Sequence, residues 1–301
     1  MTWLLVLLLV GGLLLLAVGV IGGIAALVAH QLTLVDRVPV HGHPLRHGLA
    51  YEEVEFSSRY DHIPLRGWYL PTQPDTRCII LLPGEQHHRN SPGIRALELG
   101  RDLVHHGFSV LLFDYRGRGE SGGKRSSAGD REQWGALGAI DYVNSRGIPT
   151  TRIGLLGFSL GAGVAILVAA QVPDIPAIVA DSAFVDWLRD LERIALHGWV
   201  LPRWFVGPVV LIGRMFFRVN FANVRPVKEV HRIAPRPVLF IHGANDTVIP
   251  PEETLELYHA SQNPANSVWF VPGATHVNAY LRQREEYIAR VTAFFQRSIP
   301  S

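Results

Sequence analysis

Cysteine is almost absent: Cys78 is the only one in 301 residues. A single thiol cannot form an intrachain disulfide, so a disulfide scaffold is excluded, and with it any CxxC metal or redox motif. Neither sign of charge is in excess. Lys and Arg number 28 against 26 Asp and Glu, a formal net charge of +2. That balance offers no basic stripe for nucleic acid, and there is no acidic tail. Internal repeats are missing too, so solenoids and propellers drop out.

The apolar residues are unevenly spread. Residues 3–29 contain no charged or strongly polar side chain and include ten Leu, five Val and two Ile. As a helix this stretch runs about 40 Å, longer than the ~30 Å hydrocarbon core of a bilayer. A cleaved signal peptide would need a basic n-region and a shorter apolar core. No Lys or Arg precedes the stretch, and Leu27-Val28-Ala29 is a poor small-x-small cleavage site. Residues 3–29 are therefore expected to form one transmembrane helix. Arg37 and Arg46 follow it and nothing basic precedes it. The positive-inside bias then points to a domain on the cytoplasmic face. Gly19 and Gly23 fit a small-xxx-small dimerisation pattern.

Residues 30–50 are rich in His and Pro (His41, His43, Pro44, His47) and read as a solvated linker. The three histidines lack a completing ligand set, so a metal site is not expected there. From residue 51 to 301 the pattern is that of one globular domain. Val54–Ser57 and Ile63–Leu70 read as an opening antiparallel pair. Cys78–Leu82, Ser109–Phe113, Ile153–Phe158, Ile175–Ala180, Val238–His242 and Ser267–Val271 are short continuous apolar runs, as in strands buried on both faces. Helical stretches lie between them at Gly93–His106, Arg131–Asn144, Leu160–Gln171, Pro251–Ser261 and Val277–Phe295. The alternation predicts an α/β fold, a mostly parallel sheet with helices on both faces. Sites in such sheets form at the carboxyl ends of the strands.

Residues 183–221 break the rhythm with Trp187, Trp199, Trp204, Phe205, Phe216 and Phe217. Pro202, Arg203 and Pro208 argue against a second span, and a single crossing there would divide the sheet between two compartments. A helical cap inserted over the sheet is the expectation.

Gly-x-Ser-x-Gly occurs twice, at Gly157–Gly161 around Ser159 and at Gly119–Gly123 around Ser121. A nucleophile elbow must follow a strand and open a helix, because the sharp turn lifts the hydroxyl above the sheet edge. Ser159 sits between a predicted strand and the small-residue helix Leu160–Gln171, whereas Ser121 leads into a loop. A serine needs a base to take its proton. His276 follows the last strand, where such a base belongs. Asp246, after the penultimate strand, would orient that imidazole. Asp181 also ends a strand and is a rival acid. Asp114 ends a strand before the serine and is expected to bind turn amides. The order Ser159, Asp246, His276 is that of one known arrangement of the serine triad.

These residues lie in longer stretches with a common likeness: Phe113–Ser121, Gly157–Gly161, Ala180-Asp181-Ser182, Arg236–Pro250 and Pro272–His276. Together they resemble the α/β-hydrolase superfamily, and within it the serine-aminopeptidase-like and Bem46-like branch, whose members often carry an N-terminal membrane anchor. The resemblance covers roughly residues 50–298. It implies an α/β-hydrolase fold and an oxyanion hole made by two backbone amides, Leu160 and Glu85. The family usually has His-Gly before the second donor, where this chain has Pro83-Gly84-Glu85-Gln86. A Glu85 carboxylate near a developing oxyanion would repel it. The side chain is therefore expected either to turn outward or to bind a cationic substrate group.

The functional expectation is a membrane-anchored serine hydrolase that cleaves an acyl ester or thioester through an acyl-enzyme on Ser159. The alternatives are an aminopeptidase-like serine peptidase and a non-catalytic binding protein on a hydrolase fold. The expected partners are a small, apolar acyl substrate and the membrane, through residues 3–29. No nucleic acid, metal or organic cofactor is expected. The Gly117–Gly123 loop lacks the GK[ST] ending of a phosphate-binding loop.

Overall fold

The computed structural model describes residues 2–85, 88–197 and 201–300. Helix α1 (Thr2–Thr33) is followed by β1 (Glu52–Ser57), β2 (Pro64–Leu70), β3 (Cys78–Leu82), α2 (Ala96–His105), β4 (Ser109–Phe113), α3 (Glu132–Ser145), β5 (Ile153–Phe158), α4 (Leu160–Gln171) and β6 (Ala177–Asp181). Then come α5 (Trp187–His197), α6 (Val206–Ile212), α7 (Pro226–Glu229), β7 (Val238–Gly243), α8 (Pro251–Ser261), β8 (Ser267–Val271), α9 (Ala279–Arg282) and α10 (Arg284–Ser298).

The strands form one sheet in the order β1-β2-β4-β3-β5-β6-β7-β8. Strands β1 and β2 pair antiparallel, and β2 pairs antiparallel with β4. Every other pairing is parallel. Strands β3 to β7 are buried along their whole length, as continuous apolar runs covered on both faces must be. Strand β8 has an equally apolar sequence yet is partly exposed, because it is the last strand on its edge. Two hydrophobic clusters lie on opposite faces of the sheet. One gathers α3, α4 and α8, the other α2 and α10. Helix α4 is apolar all round, and only its last residue, Gln171, is exposed.

The predicted helix Val277–Phe295 is two helices. Val277 has φ 51°, a conformation that a β-branched residue adopts only under constraint, so no helix can start there. Gln283, at φ −140° and ψ 63°, is non-helical and separates α9 from α10. The break lets Tyr280 and Tyr287 both be buried.

Residues 30–50 are not one solvated linker. Helix α1 continues through Thr33, and Thr33 Oγ1 accepts from Arg125. Leu34 bridges to Arg125, Arg37 donates to the Gly123 carbonyl, and the Asn90 side chain donates to the His41 carbonyl. His43 caps a short 3₁₀ turn over Pro44–His47 and meets the Tyr51 hydroxyl. The segment is strapped along the domain.

The described residues of 183–221 form short helices, and several of them pack beside α1. Ala25, Val28 and Ala29 share a buried cluster with Leu191, Phe205, Val206 and Val209. Trp187 is half-buried and Trp204 exposed, while Trp199 lies outside the described residues.

Candidate active site

Each strand end at the carboxyl edge delivers a polar group. Ser159 stands between β5 and α4 with φ 52° and ψ −114°. L-residues reach this region only when the surroundings over-determine it. The two flanking glycines show how. A Cβ on Gly157 would lie 2.2 Å from the Gly161 carbonyl oxygen, and one on Gly161 would lie 2.0 Å from the Leu82 carbonyl oxygen. Strand, turn and helix are thus closer than any side chain allows, and the serine hydroxyl is pushed out above the edge.

His276 Nε2 lies 2.9 Å from Ser159 Oγ, and its Nδ1 lies 2.7 Å from Asp246 Oδ2. The residues are 117 and 30 positions apart along the chain. Asp246 is fully buried as a side chain. Its Oδ1 accepts from the amides of Val248 (2.8 Å) and Ile249 (3.0 Å). Burial pushes this carboxyl up, but the bonds from His242 and His276 outweigh burial and hold it well below its ordinary value. It is a fixed anion beside the imidazole.

His242 was not singled out by sequence reasoning. It is the penultimate residue of β7, is completely buried, and its Nε2 lies 3.1 Å from Asp246 Oδ2 and 3.0 Å from the Ile249 carbonyl. Its Nδ1 meets Thr254 Oγ1 at 2.7 Å. With the Nε2 proton shared by Asp246 and Ile249, and the Thr254 hydroxyl donating to Nδ1, a neutral imidazole satisfies every group. Burial lowers its pKa, yet the Asp246 and Ile249 acceptors carry it above the usual value. The only sequence signal was a histidine four residues before an acid at a strand end.

The rival acid is engaged elsewhere. Asp181 Oδ1 accepts from Ser182 Oγ at 3.0 Å and Oδ2 from the Tyr287 hydroxyl at 3.0 Å. It has no Lys or Arg partner among the described residues, and burial raises its pKa to about 6. Ser182 and Val277, both at positive φ, join the loops after β6 and β8: the Val277 amide donates to Ser182 Oγ. This contact fixes the backbone next to His276.

Ser121 is far from any such arrangement. It is completely buried, donates to the Asp114 carbonyl (2.7 Å) and accepts from the Arg66 amide (2.8 Å). Asp114 accepts from the Arg89 amide and guanidinium and from the Glu120 amide, so it ties down the turn after β4.

Leu160 opens α4, so its amide is one of the four that have no intrahelical acceptor. The loop after β3 passes directly beneath, with Pro83 O near Gly161. Glu85 is neither turned out into solvent nor left free for a cationic group. Its Oε1 accepts from Arg118 Nη2 (2.7 Å) and Ser126 Oγ (2.6 Å), and the side chain is 27% exposed. Arg118 is the cation it holds. Gln86 lies outside the described residues. A cavity of about 330 Å³ opens beside Glu85 and Arg118, walled by Trp187 of the cap and by Gln31, Leu32 and Leu34 at the end of α1.

Comparison with known proteins identifies the family. The family model for X-Pro dipeptidyl-peptidase (S15 family) matches residues 50–205, and that for serine hydrolase (FSH1) matches residues 139–284. An uncharacterised protein of Mycobacterium tuberculosis is 31% identical over 219 residues, 72% of this chain and 69% of the relative. The chain belongs to the α/β-hydrolase superfamily. The α/β-hydrolase domain-containing protein WAV2 of Arabidopsis thaliana is 29% identical over 297 residues, 93% of this chain and 92% of its own. An esterase of Pyrococcus furiosus superposes with a TM-score of 0.73 at 27% identity, covering 88% of this chain and 100% of the esterase. The α/β-hydrolase is thus of the serine-hydrolase, esterase-like kind. The two family models overlap across β5, Ser159 and α4.

Proposed function

We propose that this α/β-hydrolase is a membrane-anchored enzyme that cleaves an acyl ester or thioester through an acyl-enzyme on Ser159. The observation that carries the reading is the unbroken chain Ser159 Oγ, His276, Asp246, with both links under 3 Å. His276 Nε2 takes the hydroxyl proton as Ser159 Oγ attacks the acyl carbonyl. Asp246 keeps the Nδ1 proton in place and stabilises the imidazolium. The amides of Leu160 and Glu85 hold the oxyanion, and each such donor contributes about 3 kcal/mol to the transition state. His276 then protonates the leaving group. Water, deprotonated by the same imidazole, releases the acid and restores the serine.

Ionic pairing of Glu85 with Arg118 supports the amide role, because the carboxylate's charge is already balanced beside the oxyanion. Helix α1 supports the anchor: it is 32 residues long, with a mean hydropathy of 3.1 over its most apolar window and none of that window buried. Arg37 and Arg46 support a catalytic domain on the cytoplasmic face. The S15 match favours a second reading, a serine peptidase acting on Xaa-Pro amides. The same triad would serve it.

Fluorophosphonate labelling tests the nucleophile. Wild type and Ser121→Ala are expected to label, and Ser159→Ala is not. Labelling that survives loss of Ser159 and disappears with Ser121 would overturn the assignment. Turnover of p-nitrophenyl esters of graded acyl length, compared with an Xaa-Pro p-nitroanilide, separates esterase from peptidase.

A further inference from the structure

Helix α1 has two parts. From Thr2 to Val20 its side chains are exposed, and from Ile21 to Thr33 one face is covered by residues of the cap. The exposed part is about 28 Å long, close to the ~30 Å apolar thickness of a bilayer. If α1 is the anchor of the preceding reading, on which this inference rests, the bilayer surface lies near Ile21, where cap contact begins. No spacer separates the cap from the lipid.

The cap is suited to that position. Helix α6 turns Val206 and Val209 onto α1 and presents another stripe outward. Trp204 (60% exposed), Leu211 (57%), Met215 (63%) and Phe216 (68%) are all open, although scattered surface hydrophobics are usually single. Trp204 lies in the 3₁₀ turn Arg203–Phe205, Leu211 in α6, and Met215 and Phe216 in the π-helical turn Gly213–Phe217, so the four open side chains fall on three consecutive segments of the chain. Arg203, Arg214 and Arg218 are exposed within the same stretch. Aromatic and aliphatic side chains with interspersed arginines are the composition of segments that lie in the headgroup region of anionic membranes.

We propose that the outer face of the cap, Trp204 to Phe216, is a second membrane contact that lies in the cytoplasmic headgroup layer. It would hold the catalytic rim against the bilayer. The substrate is then an acyl ester or thioester presented from the membrane. Continuity of this face with α1, together with its arginines, selects an anionic bilayer as the occupant.

The test uses the full-length chain in liposomes of phosphatidylcholine and phosphatidylglycerol. A spin label is placed at Phe216→Cys or, as a water-exposed reference, at Glu285→Cys; native Cys78 is buried and does not compete. Power saturation is expected to show the label at 216 more accessible to oxygen than to an aqueous nickel chelate, with the reverse at 285. A label at 216 as open to the chelate as that at 285 overturns the proposal. So does one hidden from both agents, which would mean that a second copy covers the face. The double variant Leu211→Ser/Phe216→Ser is expected to lower turnover of a vesicle-embedded acyl ester by about tenfold, since two apolar anchors are lost. Its turnover of p-nitrophenyl butyrate should be unchanged. Equal loss on both substrates, or on neither, refutes the link to substrate supply. An enzyme inactive on every ester refutes the hydrolase reading instead, and the saturation measurement still decides the contact.

Discussion

Replacement of Asp246 by Asn separates a triad from a chance cluster. The change keeps shape and removes a charge. Oδ1 can still accept from the amides of Val248 and Ile249, so the side chain stays where it is. The new amide nitrogen then occupies the place of Oδ2, facing His276 Nδ1 at 2.7 Å and His242 Nε2 at 3.1 Å. An NH₂ group donates, so His276 must present Nδ1 as an acceptor and carry its proton on Nε2. That nitrogen is the one facing Ser159, and in this tautomer it cannot act as a base. The expected loss in kcat is about 10³- to 10⁴-fold, the scale for a wrong tautomer in a serine triad. Folding stability is expected to fall by about 1–3 kcal/mol, because His242 Nε2–H keeps only the Ile249 carbonyl. The assay is initial-rate hydrolysis of p-nitrophenyl butyrate with a thermal melt on the same preparation. Asp181→Asn is the control and should stay within an order of magnitude of wild type, since Asp181 bonds Ser182 and Tyr287. If Asp246→Asn kept most of its activity, or if Asp181→Asn lost as much, the assignment of the acid would be wrong.

Three other outcomes are expected. Ser121→Ala should label normally with a fluorophosphonate yet melt at lower temperature, by about 1–3 kcal/mol of stability, because the Arg66 amide loses its buried acceptor. The effect of Asp181→Asn on stability should depend on pH. Its folded pKa is about 6 against 3.8 for an ordinary Asp, so the native state favours the protonated form. Stability from this group is fully present below about pH 4 and is lost as pH rises through 6, to a cost of about 3 kcal/mol by pH 8. The Asn variant should therefore gain in melting temperature over wild type at pH 8 and gain nothing at pH 4. A gain independent of pH would contradict the mechanism. His242→Phe removes a donor from Asp246 and should move the acid limb of the kcat/KM profile about half a pH unit upward. His242→Gln, which can still donate, should move it less, and an unchanged profile for both would show that His242 does not influence the triad.

Much of this was legible along the chain because chemistry and topology share a register. Ser159, Asp246 and His276 each follow an apolar run, and strand ends of a parallel sheet converge on one edge. The ambiguity between Asp246 and Asp181 could not be resolved locally. In the structure His276 bonds Asp246, while Tyr287, 106 residues beyond Asp181, occupies the other carboxylate. His242 was missed because a buried histidine at the end of a strand looks like any other core residue until its partners are known. The late helix start after Val277 and the break at Gln283 are written in backbone angles, not in a side-chain pattern. Residues 30–50 looked like a free linker because their composition is polar, yet their contacts are to backbone carbonyls and to Arg125, for which sequence carries no signal.

The bond between the first helix and the cap has a practical side. Cutting the chain near residue 30 to obtain a detergent-free preparation would strip Ala25, Val28 and Ala29 from Leu191, Phe205, Val206 and Val209. The trimmed protein would carry a newly exposed apolar patch over Leu191, Phe205, Val206 and Val209, where clumping would masquerade as poor catalysis. The N-terminal rod belongs with the protein during purification, because its last turns are part of the packed structure.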